Sequence, residues 1–168
     1  LENILTLCPI CGKKHTITTK GRTLFCQNCG KLTELNDRYG FTDGFQFANF
    51  AQWYLWQKES LRQQILSDKD FTLASKVELR LPSNGKGLTR HAGTGVCKLD
   101  RTGLRYTGTK DGEAVDLHFP LKQIYRLLFG AGENFETYSG NQIFYFIPQI
   151  KQSAVDWYMT SMILYDEM

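Results

Sequence analysis

Four of the five cysteines in this 168-residue chain fall into two Cys-x-x-Cys pairs, Cys8/Cys11 and Cys26/Cys29, separated by fourteen residues. Each pair stands in a turn, Cys8-Pro9-Ile10-Cys11-Gly12 and Cys26-Gln27-Asn28-Cys29-Gly30, with glycine directly after the second cysteine. A backbone free to curl there aims its amides at the thiolates. Two such turns facing each other complete the tetrahedron that Zn²⁺ takes with four sulfurs about 2.3 Å away. Between them, His15 to Thr19 and Thr23 to Phe25 are β-prone and Lys20-Gly21-Arg22 is a turn, so the intervening segment reads as a hairpin. Residues 1–36 are therefore expected to form a four-cysteine zinc ribbon, with iron the rival ion for such a sulfur site. All four positions are thiolates, which leaves no place for water or substrate and makes the metal structural. A thioredoxin-like redox motif needs one pair at a strand-to-helix junction, and two disulfides would imply secretion; intact thiolate ligands point instead to a reducing, cytoplasmic location. His15 is surplus to the ligand count and is expected as an exposed strand residue, and Cys97 as a buried small hydrophobe.

A ribbon of this size buries little core, so the metal supplies most of its folding free energy, of order 10 kcal/mol in zinc-finger peptides. Residues 36–44 are dense in turn formers and mark a boundary. From 47 to 66 there is no Gly or Pro, and Phe47, Phe50, Tyr54, Leu61 and Ile65 recur at three- or four-residue spacing. Residues 37–70 thus read as a connector and an amphipathic helix, which Trp53, Leu55 and Trp56 widen until it must be sandwiched between neighbours. A membrane-surface helix is the alternative, but a polar face of Lys58, Glu59 and Arg62 has little basic excess. No apolar run approaches the ~20 residues that span a bilayer. The start at Leu1 has neither an initiator Met nor a leader pattern, and reads as part of a longer protein.

From residue 71 the period changes to two, clearest in Val77 to Leu81 and Val115 to Phe119. Further strands are expected at 95–99, 104–107, 124–128, 134–138 and 143–147, seven in all. A final helix over 151–167 carries Val155, Tyr158, Met159, Met162 and Ile163 on one face, with Ser153 as its cap. Charge is unevenly divided: residues 76–110 hold eight Lys or Arg against two acids, and residues 111–168 hold three against eight. Either these segments neutralise each other across a sheet, or the basic one faces an anionic partner. The candidate for the second role is the Gly-rich stretch from Pro82 to Gly95, where Lys86, Arg90, His91 and glycine amides would hold a phosphate head group. At ~1 kcal/mol per cation, such attraction to an anionic bilayer is weak and reversible.

The strand order with its closing helix, together with Gly95 to Tyr106 and Phe119-Pro120-Leu121-Lys122-Gln123-Ile124, resembles the pleckstrin-homology superfold in its GRAM-type branch over about residues 75–168. The expected fold is α+β, mainly β: a ribbon (1–36), a connector and helix (37–70), and a pleckstrin-homology/GRAM-like antiparallel sheet closed by a C-terminal helix (71–168). The whole arrangement, including Asn49 to Gln57 and Lys151 to Tyr158, resembles the region after the catalytic domain in some bacterial glycerophospholipid (lysophosphatidic acid) acyltransferases. The resemblance implies a 1-acylglycerol-3-phosphate O-acyltransferase as parent, with its catalytic domain before Leu1. This chain is then a non-catalytic zinc-binding accessory region whose partners are that domain and an anionic membrane surface, peripheral to the inner face of the cell membrane. That family's His-x-x-x-x-Asp motif is missing: the fifth residue after His15 is Lys20, after His91 Val96, and after His118 Gln123. Neither a G-x-S-x-G elbow nor a P-loop occurs, and no catalytic residue is assigned. Two other classes compete. Nucleic-acid binding would use Lys13, Lys14, Lys20, Arg22 and Lys31 around the ribbon, against Glu2 and Glu34 in the same module. A pure protein-interaction scaffold would dock through the Trp-rich helix.

Overall fold

A computed structural model describes residues 1–42, 44–85 and 87–168 of the chain; Lys86, one of the candidate anion contacts, lies outside the described residues. The chain first builds a small antiparallel sheet, β1 (Ile17–Lys20), β2 (Thr23–Cys26) and β3 (Gly30–Glu34), in that spatial order. The helix α1 (Phe50–Ser67) follows. A second antiparallel sheet then takes seven strands: β4 (Leu73–Pro82), β5 (Thr89–Asp100), β6 (Gly103–Lys110), β7 (Glu113–Pro120), β8 (Leu128–Gly130), β9 (Asn134–Ser139) and β10 (Gln142–Pro148). Their spatial order is β7-β6-β5-β4-β10-β9-β8, so the first and last strands of this sheet pair at its centre. A single turn of helix, α2 (Leu121–Ile124), separates β7 from β8, and α3 (Ala154–Asp166) ends the fold.

Alternation along the strands sends one set of side chains inward. Cys97 and Leu99 of β5, Leu104 and Tyr106 of β6, Phe135 of β9, and Phe144 and Phe146 of β10 are buried against Val155, Trp157, Met159, Ile163 and Leu164 of α3. Trp157 lies flat on Phe135, with ring centroids 4.2 Å apart and planes 9° apart. The single apolar face expected for the final helix is too narrow a description. Ala154, Asp156, Thr160 and Ser161 are buried as well, because α3 has the second sheet on one side and α1 with the arm that precedes β1 on the other.

α1 joins the two halves. Its Trp53 belongs to the small core of Leu5, Ile17, Leu24 and Phe41 around the first sheet, and its Leu61 and Ile65 belong to the core of the second. Asn49 caps it, its Oδ1 accepting from Gln52 N at 3.1 Å. The turn-rich stretch expected as a connector is packed: Leu35 bridges Phe41, Gly40 bridges Asn49, and Phe41 sits edge-on to Trp53.

Two local expectations are corrected. Of the segment 124–128 only Leu128 is strand: β7 ends at Pro120, α2 buries Leu121 and Ile124, and Tyr125 takes φ 38° before β8 begins at Leu128. Ser153 stands at the N-cap of α3 as expected, but its side chain makes no cap hydrogen bond, because its Oγ donates to Ile150 O across the short 3-10 turn at Lys151–Ser153. Among the described residues, no helix is long and apolar enough to cross a membrane.

Candidate metal centre

The two cysteine turns meet at one end of the small sheet. The first is closed by Gly12 N donating to Cys8 O at 2.9 Å and Cys8 N donating to Lys13 O at 3.0 Å. The second joins β2 to β3, with Cys26 ending one strand and Gly30 beginning the next. Gly12 and Gly30 take φ of 68° and 81°, the left-handed region that a side chain disfavours. All four Sγ atoms lie within 4.8 Å of one another. Cys8 and Cys29 are 3.9 Å apart, and Cys11 and Cys26 are 3.7 Å apart. Sulfurs bound at ~2.3 Å around a tetrahedral ion stand about 3.8 Å from each other. Disulfide sulfurs would be far closer, at ~2 Å. The donor set and its spacing therefore fit one tetrahedral thiophilic ion, as the sequence spacing predicts for Cys8, Cys11, Cys26 and Cys29.

The electrostatics point the same way. Burial raises the Cys26 thiol, but hydrogen bonds from Thr16 Oγ1, at 3.3 Å, and from the N–H groups of Asn28 and Cys29 prevail and bring it down to about 6. Cys29 is pushed up to about 12, first by sharing a proton with Cys11 and then by burial. Four thiols this close do not ionise together unless a cation lies among them, and a divalent ion supplies that charge.

His15 is not the exposed strand residue expected. It precedes β1 at φ 57°, and its Nε2 lies 2.7 Å from Asp156 Oδ2 on α3. Thr6 Oγ1 donates to the other oxygen of Asp156 at 3.0 Å. Gln57 of α1 is equally buried: its Oε1 accepts from the N–H groups of Thr6 (3.0 Å) and Leu7 (3.3 Å), and its Nε2 donates to Ile4 O at 2.7 Å. Trp53 Nε1 donates to Leu7 O at 3.0 Å, and Gln152 Nε2 to Ile17 O at 3.0 Å. Sequence reasoning missed Gln57 and Asp156. The available signal was a polar residue inside an apolar run, Gln57 four residues after Trp53 and four before Leu61, and Asp156 between Val155 and Trp157.

Arg90 and His91, the described members of the candidate anion set, stand apart from this centre. Arg90 and His91 belong to β5 and not to a loop. Arg90 forks onto Asp111, with Nη2 to Oδ2 at 3.2 Å, and the pair holds Asp111 below the usual carboxylate range. His91 Nδ1 is 3.0 Å from Glu78 Oε1, which Arg80 Nη1 also meets at 2.7 Å. Arg105 of the same basic segment contacts Asp116 at 2.8 Å. Asp111 and Asp116 come from the acidic segment, so charge is neutralised across β5, β6 and β7 at these positions. Comparison with known proteins finds no matching family model, curated protein or solved structure.

Proposed function

We propose that this chain is a non-catalytic, zinc-stabilised docking region of a bacterial glycerophospholipid acyltransferase, in which a ribbon is fixed to a pleckstrin-homology/GRAM-like sheet. The observation that carries this reading is the closed four-sulfur site, whose flanking segment is held through its backbone by Gln57 and Trp53 of α1 and through the side chains of Thr6 and His15 by Asp156 of α3. The strand order β7-β6-β5-β4-β10-β9-β8 with a C-terminal helix over its core supports the sheet assignment. The work of such a region is to hold position, since a coordination sphere filled by thiolates offers no site for a reacting group. Its partner in this reading is the catalytic domain, and the metal is zinc.

An acyl-transfer assay with lysophosphatidic acid and an acyl thioester tests the proposal on the chain alone and on the longest product of its gene. Turnover by the longer product only is expected. Turnover by the chain alone overturns the non-catalytic role, and an inactive longer product overturns the parent.

Membrane attraction is a minor part of this reading, because Arg90 and His91 each face a carboxylate. Sedimentation with phosphatidylserine vesicles is expected to retain a small fraction of the protein at low salt and to lose it as the Debye length shortens to ~8 Å at physiological ionic strength. Tight or salt-independent capture would make the membrane the principal partner.

A further inference from the structure

The cysteine-bearing arm and the terminal helix share a buried carboxylate. Asp156 is 3% exposed in α3, and its two oxygens accept from two donors on that arm. Thr6, two residues before Cys8, donates through Oγ1 at 3.0 Å, and His15, four residues after Cys11, lies 2.7 Å away through Nε2. Among the described residues no other side chain bonds this carboxylate. The two donors are themselves tied together, His15 N donating to Thr6 O at 2.7 Å. His15 stands at φ 57°, a left-handed conformation that is uncommon for a residue with a Cβ. The turn from Cys8 to Lys14, closed by the Gly12 N to Cys8 O and Cys8 N to Lys13 O hydrogen bonds and carrying two of the four thiols, fixes where the His15 ring stands.

We propose that Asp156 is a latch through which metal occupancy of the ribbon sets the seating of α3. With zinc bound, the turn presents Thr6 and His15 to the carboxylate. Without it the turn opens, and Asp156 remains as an unpaired charge inside the protein. A buried charge that has lost its partners is strongly disfavoured, so α3 loosens until water reaches it. The disturbance does not stop there, because α3 also carries Trp157 onto Phe135, and its Ser161 Oγ accepts from Leu127 N at 2.8 Å beside β8. Gln57 forms a parallel tie from α1, but as a neutral amide it leaves no charge behind when its partners depart. The ribbon in this account reports metal supply to the sheet. The inference rests on the reading that the four cysteines hold zinc.

The test uses the full chain, with zinc measured by elemental analysis in every sample and hydrogen–deuterium exchange followed through residues 154–166 before and after chelation. The unaltered protein is expected to carry about one zinc, and chelation to quicken exchange in α3 roughly tenfold or more, together with that of the ribbon. Asp156→Asn keeps the shape and one accepted hydrogen bond, turns a donor to the other partner, and leaves no charge behind; it is expected to retain zinc and to lose most of the dependence of α3 on it. Thr6→Val removes one donor and is expected to quicken exchange in α3 with zinc still bound, a result that stands even where Asp156→Asn does not fold. Zinc-loaded protein whose α3 ignores chelation, an Asp156→Asn variant that responds as strongly as the original, or a Thr6→Val variant with unaltered α3 overturns the latch and leaves the metal site standing. Protein purified without zinc overturns the metal reading, and the latch falls with it.

Discussion

Replacing Cys26 with serine is expected to strip zinc from the chain and melt residues 1–36. Three thiolates and a hydroxyl lose charge and softness at the ion, and structural zinc supplies about 10 kcal/mol or more of folding free energy in comparable small modules. The ribbon's apolar core, essentially Leu5, Ile17, Leu24 and Phe41 against Trp53, is too small to replace that contribution. Elemental analysis should fall from about one zinc per chain to none, and amide NMR signals from the small sheet should collapse towards random-coil positions. Cys97→Ser is the matched control. The chemical change is identical, but Cys97 lies in the core of the second sheet, where burial pushes its thiol well above its ordinary value. It should keep zinc and lose only about 1–3 kcal/mol for a hydroxyl in an apolar site. Zinc retained in Cys26→Ser, or lost in Cys97→Ser, would contradict the ligand assignment.

What was legible in the sequence was local. The cysteine spacing, the hairpin between the pairs and the helix over Phe50–Ser67 are set by residues within one or two turns of each other, and chain neighbours were enough to find them. Gly93 and Gly95 read as loop formers, and so put Arg90 and His91 in a loop that the fold makes a strand. In the fold they let two backbones meet inside a long ladder: a Cβ on Gly93 would stand 1.9 Å from Thr109 O, and one on Gly95 2.4 Å from Thr107 O. The strand therefore continues through the glycines and carries Arg90 and His91 to carboxylates on neighbouring segments. The pairing of His15 with Asp156 spans 141 residues, and nothing within either segment marks the other. His15 is surplus to the metal's ligand count, yet the docking of two units creates demands that neither unit's sequence states. The division of charge along the chain was legible, and the structure decides for mutual neutralisation at Arg90 and Arg105, since their carboxylates arrive on the next turn and the next strand.

Trp157 is the largest fully buried side chain of the second core, and two substitutions separate what its bulk contributes from what its indole nitrogen costs. Trp157 is fully buried in the first turn of α3 and stacked on Phe135, which itself stacks on Phe146. Truncation to alanine removes the whole ring system and leaves a cavity that sheet and helix close only in part, at about 3–5 kcal/mol, with the lost stacking worth up to about 1.5 kcal/mol of that. Against a total stability of about 5–15 kcal/mol for a domain of this kind, Trp157→Ala should lower the urea midpoint severely at nearly constant slope. Phenylalanine behaves differently. No acceptor among the described residues meets Trp157 Nε1, so the indole N–H is buried without a partner. Such a group costs about 1–3 kcal/mol, and Trp157→Phe removes that cost while keeping a ring over Phe135. Loss of volume and recovery of the unmet hydrogen bond then act in opposite directions, and the phenylalanine variant should unfold within about 1.5 kcal/mol of the original. A phenylalanine variant as unstable as the alanine one would mean that the indole nitrogen has an acceptor after all. An alanine variant within 1 kcal/mol of the original, on the scale expected of an exposed site, would mean that α3 does not hold the sheet core together.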